Sequence, residues 1–250
     1  MKLKQISIKK ATKILREIKA GLYAEFISSL LVQTVIERST AYELCGSIVI
    51  KTPSWDKKSD VWYICDIGNS DMNSTFNEIQ SNNDEKLDII MIHAKQIDGE
   101  YCYIFSAIGS GYMDLNVVKL SGMNINDVLM LTTVEDDGDI FNKTISQNIY
   151  NDFLKLDKDK AFELYGLYVN KTLVGAISIE NRSKLGVVII RELFVSKSTR
   201  GKGYAKRLLK SALGLYPNMQ YFYSCGSDNT ASIATAKSCG FVFEGTYDFI

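Results

Sequence analysis

The stretch of this sequence best equipped for chemistry is Arg-Gly-Lys-Gly-Tyr-Ala at residues 200–205, set between the apolar run 187–195 and a run at 205–215 with helical spacing of apolar residues. A strand that ends in a basic, glycine-spaced turn and opens directly into a helix aims several backbone N–H groups at one point, where an anion binds. Gly201 and Gly203 carry no Cβ, so the main chain can approach that anion closely. A phosphate is the anion such a turn suits. A dinucleotide fingerprint would need a third glycine and an acidic residue about 20 residues further on, and a nucleoside-triphosphate loop would need Gly-Lys followed by Ser or Thr. Neither pattern is present.

The second chemical group is Glu192, a carboxylate inside the apolar run 187–195. An ionised carboxylate on a buried strand is costly unless it is paired or put to use. Two readings stay open for it, a general base and a structural ion pair. His93 is the sole histidine, so a base in this protein is a carboxylate, a tyrosine or a water. Cys45, Cys65, Cys102, Cys225 and Cys239 are odd in number and scattered, with no Cys-x-x-Cys pair. Zinc sites and Ser–His or Cys–His nucleophiles are therefore not expected, no metal is expected, and the cysteines read as buried free thiols of a reducing compartment. Cys225 or Cys239 as a covalent acyl carrier is disfavoured, because no histidine is at hand to activate either.

The elements that must position these groups follow from periodicity. Residues 8–18 and 23–36 carry apolar side chains at helical spacing, and 47–50, 61–67, 89–94 and 101–108 read as strands. Residues 68–86 are polar and read as a long loop with room for one helical turn; Asp98-Gly99 reads as the hairpin joining the last two strands, and Gly109-Ser110-Gly111 as a turn. The pattern breaks at 121–127, which divides the chain into 1–125 and 126–250. Beyond it, 128–134 reads as a strand and 145–156 as a helix. Residues 164–169 and 173–179 flank a hairpin at Asn170-Lys171-Thr172. Residues 187–195, apolar on both faces, read as a central strand with little solvent contact. Helix 205–215 stops before Pro217, and then come strand 221–225, helix 230–238 and strand 241–247. The fold class is α/β (α+β), a mixed sheet flanked by helices in the second half and a smaller α/β module of unreadable role in the first.

Composition bounds the rest. The chain has 250 residues, is 46% hydrophobic and carries zero formal net charge, enough for a sizeable core and nothing that favours a nucleic acid or an anionic membrane. No window approaches the 18 or more apolar residues of a membrane span, and the N-terminus leads into no apolar segment, so a cytoplasmic protein is expected.

Arg200, Gly203 and Ala205 in the pattern Arg-x-x-Gly-x-Gly/Ala, followed by Asn229 and then Gly240-Phe241, resemble the GCN5-related N-acetyltransferases, the GNAT family. The resemblance covers the 126–250 half; for 1–125, a degenerate copy of the same fold and an unrelated module both stay open. It implies acetyl-coenzyme A as co-substrate, with its pyrophosphate on the amides of Arg200, Gly201, Lys202, Gly203, Tyr204, Ala205 and Lys206. It implies pantetheine along the main chain of Leu193, Phe194 and Val195, a further contact from Asn229, and Glu192 as base. The tyrosine that relatives use to protonate the departing thiolate is replaced by Ala236, leaving Tyr204, Tyr223, Tyr168 or solvent. Glu135, Asp136, Asp137 and Asp139 follow the expected first strand near the acceptor side, either to draw a small cationic amine such as a polyamine or amino sugar, or as a solvated acidic loop; a peptide amine and a homodimer stay open. The implied activity is N-acetyl transfer to a primary amine by direct attack in a ternary complex. Its alternative is a non-catalytic acyl-coenzyme A binding or sensing module.

Overall fold

The computed structural model describes residues 3–18, 39–53, 60–67, 71–83, 87–93, 102–120, 162–182 and 186–249. In chain order these form β1 (Lys4–Ile6), α1 (Ile8–Ile18), β2 (Thr40–Leu44), β3 (Ser47–Pro53), β4 (Asp60–Cys65), α2 (Met72–Ser81), β5 (Asp88–His93), β6 (Cys102–Ile108) and β7 (Val117–Lys119). There follow β8 (Phe162–Val169), β9 (Thr172–Arg182), β10 (Val187–Val195), a 3-10 turn (Lys197–Thr199), α3 (Tyr204–Leu215), β11 (Gln220–Gly226), α4 (Thr230–Ser238) and β12 (Val242–Phe249). The helix expected at 23–36, the strand at 128–134, the helix at 145–156, the hairpin at Asp98-Gly99 and the boundary at 121–127 lie outside the described residues. So do Glu135, Asp136, Asp137 and Asp139. Among the described residues no helix is long and apolar enough to cross a membrane.

The chain packs as two compact units, one of residues 1–106, 224–230 and 243–250, the other of 107–223 and 231–242. In the first, β2, β3 and β4 run antiparallel in sequence order, and α2 then carries the chain to β5, parallel to β4. In the second, β8, β9 and β10 run antiparallel in sequence order, and α3 carries the chain to β11, parallel to β10. Each unit therefore follows the same course, an antiparallel meander closed by a helical crossover. Of the two readings for the first half, the degenerate copy of the fold fits this topology.

Two expectations change. Residues 68–86 hold not a loop but the ten-residue helix α2, whose Met72, Thr75 and Ile79 are buried and whose first turn is capped by the Asp71 carboxylate, which accepts from the Ser74 N–H at 2.9 Å. Its Asn, Ser and Thr residues have poor helix propensity, and burial against β4 overrides that. β5 and β6 are not partners in a hairpin, because the C-terminal β12 stands between them in the strand order and pairs antiparallel with β5 from Thr246↔His93 to Phe249↔Ile90. At Gly109-Ser110-Gly111 the chain is held beside α3, the Ser110 N–H donating to the Leu213 carbonyl at 2.9 Å, and Gly111 takes the left-handed φ of +75°.

The second unit's core is built around α3. Leu208, Leu209, Ala212 and Leu213 are buried, and Gly175 on β9 lets the helix approach: a Cβ there would lie 2.7 Å from the Phe194 carbonyl oxygen and 3.0 Å from Leu208 Cδ1. The first unit packs Leu44, Val49, Trp62, Ile64, Met72, Ile79, Ile89 and Met91 together. None of the five cysteines is in a disulfide, but only Cys65 is buried; the other four are half-buried.

Candidate functional site

At the end of β10 the Ser196 N–H donates to the Val174 carbonyl at 2.9 Å, and the 3-10 turn Lys197–Thr199 reverses the chain. Gly201 and Gly203 then take φ of +77° and +78°, left-handed conformations in which a side chain would be strained. A Cβ at either would meet nothing within 4 Å, so both glycines border open space. Gly203 is the N-cap of α3 and offers no side-chain cap, and among the described residues no acceptor takes the N–H groups of Gly201 to Lys206. Helix ends satisfy such donors with caps, water or ligands. Residues 196–219 hold no Asp or Glu, while Lys197, Arg200, Lys202, Lys206 and Lys210 are exposed. Arg200 Nε donates to the Val195 carbonyl at 3.1 Å, so this side chain also ties the turn back to the strand.

β10 changes character along its length. Val187 to Ile190 are buried and pair in parallel with Gln220 to Tyr223 of β11, the last pair being Ile190↔Tyr223. The antiparallel ladder with β9 continues to Val195↔Gly175. Arg191 is exposed and Glu192 to Val195 are half-buried, which corrects the expectation of a strand covered throughout. The physical reason is that the ladder with β11 stops at Ile190 while β10 runs on. In the ladder with β9, Ile190 faces Ile179 and Glu192 faces Ser178, so Arg191 is an extra residue, a β-bulge.

Glu192 is thus half-buried rather than buried, and its N–H donates to Ser178 Oγ at 3.1 Å. The fully buried carboxylate is Glu180, on the same face of β9 as Ser178, at 1% exposure. Arg191 pairs with it through Nε at 2.6 Å and through a terminal guanidinium nitrogen. Neither Glu180 nor Arg191 nor Ser178 was singled out from the sequence. The signal available was two charges interrupting apolar runs on adjacent strands.

Within the second unit, Arg207 in the first turns of α3 donates to the Asp114 carboxylate at 2.7 Å and lies 5.7 Å over the Tyr204 ring. That guanidinium, with the Asn116 donors, holds the Asp114 carboxyl down to about 2. Tyr223 ends the parallel ladder, buried, 6.0 Å from the ring of Phe241. Tyr168 packs against the cluster of Leu120, Leu164, Leu173 and Ala176. Ala236 is fully buried and its carbonyl accepts from the N–H groups of Cys239 and Phe241, which makes it a packing position. Asn229 belongs to the other unit and is exposed, one residue ahead of α4. Burial pushes the Cys225 thiol up to about 11 and raises that of Cys239, so neither is a thiolate at neutral pH.

Residues 130–241 match the family model described as Acetyltransferase (GNAT) family. Among solved structures, the chain is similar to a GCN5-related N-acetyltransferase from Sphaerobacter thermophilus at 10% identity and TM-score 0.57, covering 98% of this chain and 93% of that one. It is similar to a GNAT-family acetyltransferase from Colwellia psychrerythraea at 12% identity and TM-score 0.54, covering 100% and 99%. A conserved protein of unknown function from Staphylococcus epidermidis matches at 17% identity and TM-score 0.56, covering 82% and 90%. At these identities the likeness concerns the fold. No curated protein matches the sequence.

Proposed function

We propose, for a chain whose residues 130–241 carry a domain of the GNAT acetyltransferase family, that it transfers an acetyl group from acetyl-coenzyme A to a primary amine by direct attack in a ternary complex, in the cytoplasm, with 126–250 as the acetyltransferase domain. One observation carries the reading: a row of main-chain donors at an uncapped, positively charged helix start, where a phosphate is stabilised by hydrogen bonds and by the helix dipole together. The residues fit the carrier, because Gly201 and Gly203 border open space that any Cβ would begin to fill. Arg200, Gly201, Lys202, Gly203, Tyr204, Ala205 and Lys206 would hold the diphosphate, Leu193, Phe194 and Val195 would offer their main chain to the pantetheine arm, and Asn229 would add a contact. When bound, the thioester supplies the acyl group and a thiol as leaving group.

Glu192 is the base in this reading. An amine arrives mostly protonated, and a half-buried carboxylate beside the end of the ladder is suited to take its proton directly or through a water. Main-chain N–H groups at the same strand end can face the carbonyl oxygen as charge develops on it. The favoured acceptor is a small cationic amine, with Glu135 and Asp136 as its attracting charges.

A second reading has one observation in its favour. Ala236, buried where relatives keep a proton donor, suits a module that binds or senses acyl-coenzyme A without turnover. Acetyl-coenzyme A offered with a panel of polyamines, amino sugars and peptides, followed by thiol release and product mass, separates the two. An acetylated amine supports the enzyme; binding with no amine-dependent thiol release supports the sensor.

A further inference from the structure

We propose that Arg191 and Glu180 are positioning residues: their ion pair clamps the one-residue bulge of β10 and so decides on which face of the sheet Glu192 stands. The register states the problem. With the bulge, Glu192 lies opposite Ser178, on the face of β9 that also carries Ala176 and Glu180. Were Arg191 to slip into the ladder opposite Ser178, Glu192 would move opposite Ile177, and every later side chain of the strand would change face. The face of Gly175 and Ile177 is the one α3 covers through Leu208, so a slipped Glu192 would sit in the apolar core. The reacting carboxylate is therefore available only while the extra residue stays out of the ladder.

Three polar contacts keep it out. Glu180, at 1% exposure, needs a cation, and Arg191 supplies one through Nε at 2.6 Å and a second guanidinium nitrogen. That contact anchors the guanidinium of the bulged residue to a buried carboxylate. The Glu192 N–H is taken by Ser178 Oγ at 3.1 Å, so the amide next to the bulge keeps an acceptor. The turn at 200–206 makes none of these three contacts. Orientation of Glu192 and the turn's hold on a diphosphate are therefore separable.

The functional limb rests on the acetyl-transfer reading; the structural limb does not. In the full-length chain, Arg191→Lys keeps a charge opposite Glu180 but loses the fork, and the paired Arg191→Leu with Glu180→Leu removes both charges at once. Both are expected to bind ADP, a diphosphate probe that reaches the turn but not the strand, within about threefold of wild type, while kcat falls about 10- to 100-fold in the double variant and less in Arg191→Lys. Amide hydrogen exchange at Glu192 and Leu193 is expected to quicken by about tenfold or more in the double variant, with α3 unchanged. Wild-type kcat and exchange in the double variant would overturn the proposal. So would a loss of ADP affinity equal to the loss of kcat, since that marks general damage. If the wild-type chain acetylates no amine, the transferase reading fails, and exchange at Glu192 still decides the clamp.

Discussion

Two carboxylates on neighbouring strands divide their work by surroundings. Glu180 is buried and matched by Arg191, whereas Glu192 is half-buried at the point where β10 loses its parallel neighbour. Glu192→Gln preserves shape and removes the proposed base, so kcat at neutral pH is expected to fall about 100-fold or more with coenzyme Kd within about twofold, read by steady-state kinetics and titration calorimetry. Gly203→Ala puts a Cβ into open space at φ +78°, in front of the donor row. Its backbone penalty is only about 1 kcal/mol, but coenzyme Kd is expected to rise by more than that factor, and calorimetry compared with a thermal melt checks the difference. Asp114 gives the pH prediction. Its folded-state value of about 2 lies below that of the unfolded chain near 4, so its stabilisation is complete above about pH 4 and is lost as pH falls toward 2. Asp114→Asn is expected to cost about 1–2 kcal/mol at pH 7 and to flatten that acid limb in urea unfolding followed from pH 7 to 2.

Elements were legible where pattern and burial agree. α1, β10 and α4 stand at the expected residues and α3 begins one residue early; in α3 the apolar periodicity coincides with the buried face of Leu208, Leu209, Ala212 and Leu213. The shape of the glycine turn at 200–205 was legible for a related reason: glycines at left-handed positions and a helix without a cap are local facts. α2 was not, since its stabilisation comes from packing rather than propensity, although Asp71 ahead of Met72, Phe76 and Ile79 was a readable start signal. The Arg191 bulge was invisible as well, because register is a property of two strands and only one was being read. Packing also sets the severest substitution at this scale. A Cβ at Gly214 of α3 would lie 1.7 Å from the Tyr112 carbonyl oxygen, and a main chain cannot yield as a side chain can. Gly214→Ala is expected to cost about 3 kcal/mol, measured by chemical denaturation.

For the molecule as a whole, the two units share one topology but not one chemistry. In the second, the helix after the parallel crossover opens with uncapped amides; in the first, the corresponding helix opens with the Asp71 carboxylate already on the Ser74 N–H and hydroxyl. One acetyl-coenzyme A per chain is therefore the expected stoichiometry, and a calorimetric value of two would contradict it. The units are also discontinuous in sequence, which the linear division at 121–127 did not anticipate: the first is completed by β12, seated between β5 and β6. Expressed alone, residues 1–125 are expected to melt without a cooperative transition, as followed by circular dichroism. The same seating has a consequence during synthesis. The ribosome releases β5 roughly 150 residues before it releases β12, an interval on the order of ten seconds at ordinary translation speeds. For that time the nascent chain presents the β12 side of β5 without its final partner, an open strand edge that is a hazard if translation stalls.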